Sequence, residues 1–406
     1  MPNYQTPGVY VEEIESGSKP IEVGATNIVG FLGVAEKGPV NQATLVTNWT
    51  QYTKIFGGLH EGGWLGHGVY QFFQNGGTKC YINNLAESKL KKGEASQKNG
   101  DKAAEKADES ANSVKYEVKN PDNIAKLIIG KDEGVGKKSG LHLFDEIQDI
   151  SLICAPGVTD PAAQDAILTH CEKNRFRFAV LDSPETLDGG IDTMPMPRDS
   201  IMGAYYFPWV QMYDMVADQN IYAPPSGGIC GVYGRVDSTR GVHKAPANEL
   251  FKTALGLKYN LTDAEQEMLN PKGINCIRDF PGRGIRVWGA RTISSNPEWR
   301  YVNVRRLFCM VEQALQNGTN WVVFEPNTRD LWKKITRNIT AFLLNIWKSG
   351  ALFGNTPEEA FYVRCDELNP PESIDAGYVT IELGLAPAKP AEFVVFRVSQ
   401  KTLGDE

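Results

Sequence analysis

The chain lacks the marks of several protein classes. No apolar run reaches the roughly 18 to 20 residues that a membrane-spanning helix needs, so no direct membrane insertion is expected. The opening MPNYQTPGVYVEE has neither a basic n-region nor an apolar h-region, so no Sec signal is expected. The five histidines (60, 67, 142, 170 and 243) make no HExxH pair and no zinc-finger spacing; His60 and His67 read as loop residues and not as ligands. No GxSxG nucleophile elbow occurs. Cysteines stand at 80, 154, 171, 230, 276, 309 and 365, an odd number with no CxxC pair. They read as packed, reduced thiols in a chain made in a cytoplasm. His170 and Cys171 are neighbours inside an expected helix, where adjacent positions do not face each other, so they make no dyad. Asp182 ends a strand where α/β active sites often lie, but no nucleophile or base motif accompanies it. GRGIRVWG (282–289) lacks the GK[ST] of a phosphate loop and leads into a strand. No catalytic residue, metal ligand or cofactor is assigned.

What remains is ordinary globular composition. The 406 residues are 41% hydrophobic and 22% charged, enough for two or three domains with real cores. The net charge of −7 argues against a general nucleic-acid binder. That average hides an asymmetry. Residues 271–350 hold 13 Lys/Arg against 5 Asp/Glu, a net of +8, which leaves −15 on the rest.

Along the chain, PGVYVEEI (7–14) alternates as a short strand, followed by a flexible SGSKP. TNIVGFLGVAEKGP (26–39) is a Gly-punctuated strand. Helices are expected over 49–56, capped by Thr47 or Asn48, and over 64–75 before Gly76-Gly77. KCYINNL (79–85) is a strand. Residues 86 to about 140 are rich in Lys, Glu, Asp, Ser and Gly, and read as a surface insertion or long loop. DISLICAP, a helix opening at Asp160-Pro161, and FRFAVLD make a β-α-β unit with a parallel pair. APPSGG (223–228) reads as a hinge and domain boundary. GICGVYGRVD, GIRVWGART and WVVFE (321–325) read as strands, and 297–316 as a helix with an apolar stripe of Val304, Phe308, Val311 and Leu315. FYVRCDEL, GYVTIELGL and EFVVFRVSQ close the chain as strands. The sum is an α/β domain followed by an α+β domain.

Two features suggest contacts. On a helix over 329–349, Leu331, Ile335, Ile339, Phe342 and Ile346 share one face, with Lys333, Lys334, Arg337 and Lys348 roughly opposite. A merely solvated face would carry mixed charges; one sign points to an acidic partner surface. Both termini also carry tethered apolar segments, PGVYVEEI and AEFVVFRV. A tethered strand can complete its own sheet or a neighbour's, and the pattern alone favours its own.

NPKGINCIRDFPGRGIRVWGARTISSNPEWRYVNVRRLF, WVVFEPNTRDLW and the stretch from GALFGNTPEEAFYVRCDELNPP to AEFVVFRV resemble the C-terminal domain of the contractile tail sheath family. TPGVYVEEIESGSKPIEVGATNIVGFLGVAEKGP and GVYGRVDSTRGVHKAPAN resemble its N-terminal and mid-chain segments. The likeness covers 1–85 and 223–406 and is weaker over 86–222. The chain is compact for the family, like sheaths of phage-tail-like injection systems.

The resemblance implies a division into 1–24 as an N-terminal arm, 25–222 as an outer α/β domain with an insertion at about 86–140, 223–390 as an α+β domain facing the tube, and 391–406 as a C-terminal strand. It implies stacked hexameric rings of identical subunits around an inner tube, with baseplate and terminal cap proteins as further partners. Assembly would take place in the bacterial cytoplasm, as part of a phage tail, a free particle or a membrane-anchored injector. Strand donation would involve Val9, Tyr10 and Val11, and Phe393, Val394, Val395 and Phe396. Tube contact would involve Lys333, Lys334, Arg337 and Lys348. The alternatives are a hydrolase built on the α/β domain, or a soluble binding module without an assembly role.

Overall fold

A computed structural model describes residues 20–60, 62–87, 121–365 and 368–396. The chain divides into two units, Gly24–Met310 with Pro387–Glu406, and Met1–Val23 with Val311–Ala386.

In the larger unit the strands are β1 (Val29–Ala35), β2 (Thr44–Val46), β3 (Cys80–Glu87), β4 (Leu152–Cys154), β5 (Phe178–Asp182) and β6 (Gly203–Phe207). They continue with β7 (Val210–Asp214), β8 (Gln219–Ala223), β9 (Glu249–Leu250), β10 (Gly256–Leu257), β11 (Ile274–Phe280) and β12 (Gly284–Val287). Nine form one sheet in the order β2-β3-β1-β4-β5-β6-β11-β12-β9. The run from β3 to β11 is parallel, and β2, β12 and β9 add antiparallel edges. β10, β7 and β8 make a small antiparallel sheet.

The central strands are apolar on both faces, as buried parallel strands must be. Val29, Phe31, Phe178, Val180 and Tyr206 enter one core, while Leu32, Ile153, Ala179, Leu181 and Phe207 enter another. Helices α1 (Trp49–Phe56), α2 (Leu65–Asn75) and α5 (Ser226–Thr239) pack into the first core. Helices α3 (Pro121–Ile129) and α4 (Pro161–Asn174) pack into the second. α6 (Asp263–Leu269) carries a capping box of Thr262 and Glu265. The caps follow the sequence reading. The Asn48 side chain accepts from the Gln51 N–H, and Asp160 accepts from Ala163 ahead of Pro161.

Several expectations are corrected in this unit. GICGVYGRVD is not a strand but most of α5, a helix whose glycines allow backbone contact with α2. APPSGG is not a hinge: it leads into α5 with Pro225 at its cap, and one sheet joins strands from both sides of residue 223, so the division expected there falls inside this unit. The expected surface insertion ends earlier than residue 140, because α3 buries Ala125 and Ile128 in the core; residues 88–120 lie outside the described residues. His67 is not a loop residue but a buried member of α2, 2.8 Å from Asp214, and His60 is also buried.

The helix α7 (Val302–Gly318) begins in this unit. The smaller unit holds the rest of it, α8 (Arg329–Lys348), α9 (Pro357–Ala360), β13 (Phe361–Arg364), α10 (Pro371–Asp375) and β14 (Glu382–Leu385). β13 and β14 pair antiparallel. WVVFE is not a buried strand. Residues Asn320–Val322 form a 3-10 turn, and Phe324 is fully exposed with φ +70. The helix expected to start at Pro297 is a short 3-10 turn, Pro297–Trp299, before α7 proper.

Candidate assembly surfaces

Helix α8 starts where the Thr328 side chain accepts from the Leu331 N–H, and its chain turns away at Gly350 with φ +81. Leu331, Ile335, Ile339, Phe342 and Ile346 are all buried, joined by Trp332 and Leu343. Burial of each large side chain contributes roughly 1.5 to 3 kcal/mol, so the apolar stripe fixes how the helix sits on its unit. Lys333, Lys334, Arg337 and Lys348 are exposed. Among the described residues no ion pair engages these four. Three other cations of the basic segment are neutralised. Arg278 pairs with Asp263 at 2.6 Å, Arg306 with buried Asp237 at 2.6 Å, and Arg291 with Glu392 at 2.6 Å. The uncompensated positive charge of residues 271–350 therefore includes a concentrated patch on one face of α8.

The C-terminal segment divides sharply at residue 392. Before it, the Asn303 side chain donates to the Ala388 carbonyl at 3.2 Å. At Glu392, one carboxylate receives four hydrogen bonds. Arg291 donates through Nε at 2.8 Å and Nη2 at 2.6 Å, Asn270 through Nδ2 at 3.1 Å, and Tyr301 through its hydroxyl at 3.2 Å. Burial would push the Glu392 carboxyl up, but the hydrogen bonds from Arg291 and Asn270 together with the charge of Arg291 outweigh it and hold the group below its ordinary range. Burial, then the nearby Glu392 carboxylate, raises the Tyr301 hydroxyl. A cavity of about 810 Å³ opens beside this point, with His243, Glu267, Trp288, Pro390 and Phe393 on its walls.

Beyond the anchor, Phe393, Val394, Val395 and Phe396 are 75%, 71%, 77% and 85% exposed. The expected strand over 391–399 is corrected to this extent: residues 391–396 pair with no strand among the described residues, and 397–406 lie outside them. Val9, Tyr10 and Val11 lie outside them too. Four consecutive large apolar side chains in water are unusual on a folded surface and mark a contact site. In the smaller unit, β13 and β14 form a sheet of only two strands, so the outer backbone edge of each lacks a strand partner among the described residues.

The residues missed by sequence reasoning are Arg291, Asn270, Tyr301 and Glu392. Nothing in the local pattern marks them, because they are up to 122 positions apart and only the fold brings them together.

Elsewhere, polar clusters have structural roles. Asp182 accepts from the backbone N–H of Gly157 and Ser226, each at 2.9 Å, and from the Ser226 hydroxyl at 2.5 Å; it holds the start of α5. GRGIRVWG runs from the turn after β11 through β12, with Gly282 and Gly284 at φ +73 and +74. His170 Nε2 accepts from Arg177 at 2.6 Å, and burial raises the Cys171 thiol. The seven cysteines are all buried, and none forms a disulfide. No helix among the described residues is long and apolar enough to cross a membrane.

Comparison with known proteins adds a consistent set of relatives. Residues 140–293 match the central domain of phage tail sheath proteins, and residues 294–401 match the phage tail sheath C-terminal domain. A Pseudomonas aeruginosa protein assigned as a prophage major tail sheath protein is 28% identical over 295 residues, 68% of this chain and 73% of that one. The tail sheath protein of Escherichia phage P2 is 22% identical over 411 residues, spanning 96% of this chain and 94% of that one. The tail sheath protein of Vibrio phage KVP40 is much longer: the 29% identical match covers only 27% of it. Among solved structures, the sheath of the PVC extracellular contractile injection system in its contracted state gives a TM-score of 0.74 at 28% identity, over 99% of both chains. The contracted helical sheath of the anti-feeding prophage gives 0.71 at 29% identity, over 98% of this chain and 100% of that one. These relatives and neighbours are structural components of contractile tails, not enzymes.

Proposed function

The chain belongs to the phage tail sheath family, and from that premise we propose that it polymerises as stacked hexameric rings around an inner tube and contracts to drive that tube through a target envelope. The tail sheath role is common to its relatives; the rings, the tube and the stroke are our reading for this chain. One observation carries it: the apolar run Phe393–Phe396 stands exposed, with no strand partner among the described residues, after a firmly held Glu392.

Donated to a second copy, this run would add a strand to the open two-stranded sheet of β13 and β14. Main-chain hydrogen bonds would supply connection, and alternate apolar side chains would fix the register. Residues 7–14, with Val9, Tyr10 and Val11, are the second donated arm of this reading. Subunits linked in this way can shift against one another as near-rigid bodies without coming apart. The energy of contraction is stored at assembly, so no nucleotide is consumed. The exposed face of Lys333, Lys334, Arg337 and Lys348 supplies the tube contact. Baseplate and terminal cap proteins complete the machine, which is assembled in the cytoplasm before deployment.

The test is removal of residues 391–406. The truncated chain is expected to fold, with an unchanged circular dichroism spectrum, and to run as a monomer on size exclusion. Negative-stain images should show no striated tubes. Normal contractile tubes from that variant would overturn the strand-donation reading.

A further inference from the structure

The place where the arm leaves the body has a construction that neither the family matches nor the strand-donation reading assigns. Glu392 is gripped by residues from three separate segments: Asn270 after α6, Arg291 after β12, and Tyr301 before α7. Arg291 is itself fixed before it meets the arm. Its backbone N–H donates to Asn275 Oδ1 at 2.7 Å, and its carbonyl accepts from Asn275 Nδ2 at 2.7 Å. Asn275 is fully buried on β11, a strand of the nine-stranded sheet. Arg291 Nη1 also donates to the Asn270 carbonyl at 3.0 Å. The guanidinium therefore presents its remaining donors to Glu392 from a rigid seat, and the contact is bidentate and charge-assisted.

An exposed surface ion pair would add little, because salt screens it and two long side chains lose freedom to make it. This pair differs on each count. The Arg291 and Glu392 side chains are only 11% and 21% exposed, and two further donors complete the carboxylate's shell. Immediately afterwards the chain has four exposed apolar residues.

We propose that Glu392 is the positioning residue of the C-terminal arm, clamped by Arg291, Asn270 and Tyr301, so that a second copy of this chain receives residues from 393 onward in one register and tension on the arm ends at the clamp. This rests on the strand-donation reading. A tethered strand whose root could slide would meet its acceptor edge in several registers, and a one-residue slip would turn each apolar side chain to the opposite face. A fixed root selects one register. It also prevents the neighbour's movement from peeling residues 388–392 off their own body.

The experiment uses the full-length chain and two readouts. For the first, nitroxide labels are placed at Ala391→Cys and Ala264→Cys, both exposed, and their separation is measured in the unassembled protein by pulsed electron paramagnetic resonance. The distance distribution should be narrow with Glu392 present and broad with Glu392→Ala. For the second, striated tubes are counted by electron microscopy. Glu392→Ala should reduce their yield at least tenfold while the circular dichroism spectrum of the monomer keeps its shape, so that the loss is not one of folding. Glu392→Gln, which keeps the shape but not the charge, should fall between. The exchange of both partners, Arg291→Glu with Glu392→Arg, should recover part of the loss seen with either change alone. The arm-deletion variant separates the two ideas. If deletion abolishes tubes while Glu392→Ala assembles at the normal yield, the clamp is overturned and strand donation stands. If deletion leaves tubes intact, strand donation itself fails.

Discussion

His170 and His60 are buried in neutral form, and this gives the fold a pH dependence. Burial, then the Arg177 charge, lowers the His170 pKa to about 4, although Asp145 pulls it the other way; His142 and Lys173 push it down further. Burial, then His67, lowers His60 to about 4 against the opposing pull of Glu36. In each case the unfolded chain takes up a proton near the ordinary value of 6.5, while the folded chain resists until about 4. Their contribution to stability is therefore whole above pH 6.5 and is lost as the pH falls towards 4, on the order of 3 kcal/mol each at the limit. Asp182 acts with the opposite sign. Burial raises it to about 6 in spite of its three hydrogen bonds, so protonation between 6 and its ordinary value favours the folded state. Two histidines outweigh one carboxyl, and the net effect is loss of stability in acid. Urea unfolding at pH 7 and pH 5 should show a drop, and His170→Gln, which can still accept from Arg177, should make it smaller. A variant with the same drop as the parent would exclude His170 as a source.

At the scale of elements, the approach of α2 and α5 shows how a helix can be taken for a strand. GICGVYGRV has three glycines and three β-branched residues with poor helix propensity, and no polar stripe, because the helix is buried almost all round. A buried helix and a buried strand have the same short apolar run. Only the partner distinguishes them, and the partner helix is more than 150 positions away in sequence. A Cβ on Gly231 would lie 2.4 Å from the Phe72 carbonyl oxygen, whereas one on Gly234 would meet nothing closer than 3.4 Å. Alanine gains about 1 kcal/mol of helix propensity over glycine at either site. At Gly231 the overlap is with backbone, which no rotamer change relieves, and overpacking of that kind costs roughly 1 to 3 kcal/mol or more. Gly231→Ala should therefore lower the melting temperature and Gly234→Ala should raise it slightly; equal effects would refute the close-approach explanation. WVVFE failed for the reverse reason: its Val323 and Phe324 are held out in solvent, and a sequence reading has no means to distinguish an apolar run kept for a partner from one kept for the core. By contrast, the α8 stripe, the Asp160-Pro161 start and the parallel pair around it were legible, because periodicity and caps are local. The Glu392 grip was not, since each of its bonds is a long-range product of the fold.

For the molecule as a whole, the charge asymmetry is the property with the clearest consequence. Folding neutralises Arg278, Arg291 and Arg306 with acidic partners but leaves Lys333, Lys334, Arg337 and Lys348 in water on one helix face. Three of these stand in the N-terminal half of α8, where the helix dipole does not favour cations, so helix stability does not account for them. In the proposed machine they meet an acidic tube surface. Exposed charge contacts are worth roughly 0 to 1 kcal/mol each, which suits a bond that must hold in number and then release when the sheath moves. Changing Lys333, Lys334 and Arg337 together to Glu should leave the subunit as stable as before, since all three are exposed, and should leave sheath-only polymers intact. Tube-filled extended particles should be lost, because each favourable contact becomes a repulsion. The parent particles should likewise shed sheath from tube as ionic strength rises towards 1 M, where screening shortens to about 3 Å. Tube-filled particles at parental abundance from the triple variant, counted in low salt by electron microscopy, would exclude this face from the tube contact and leave its charge without an assembly role.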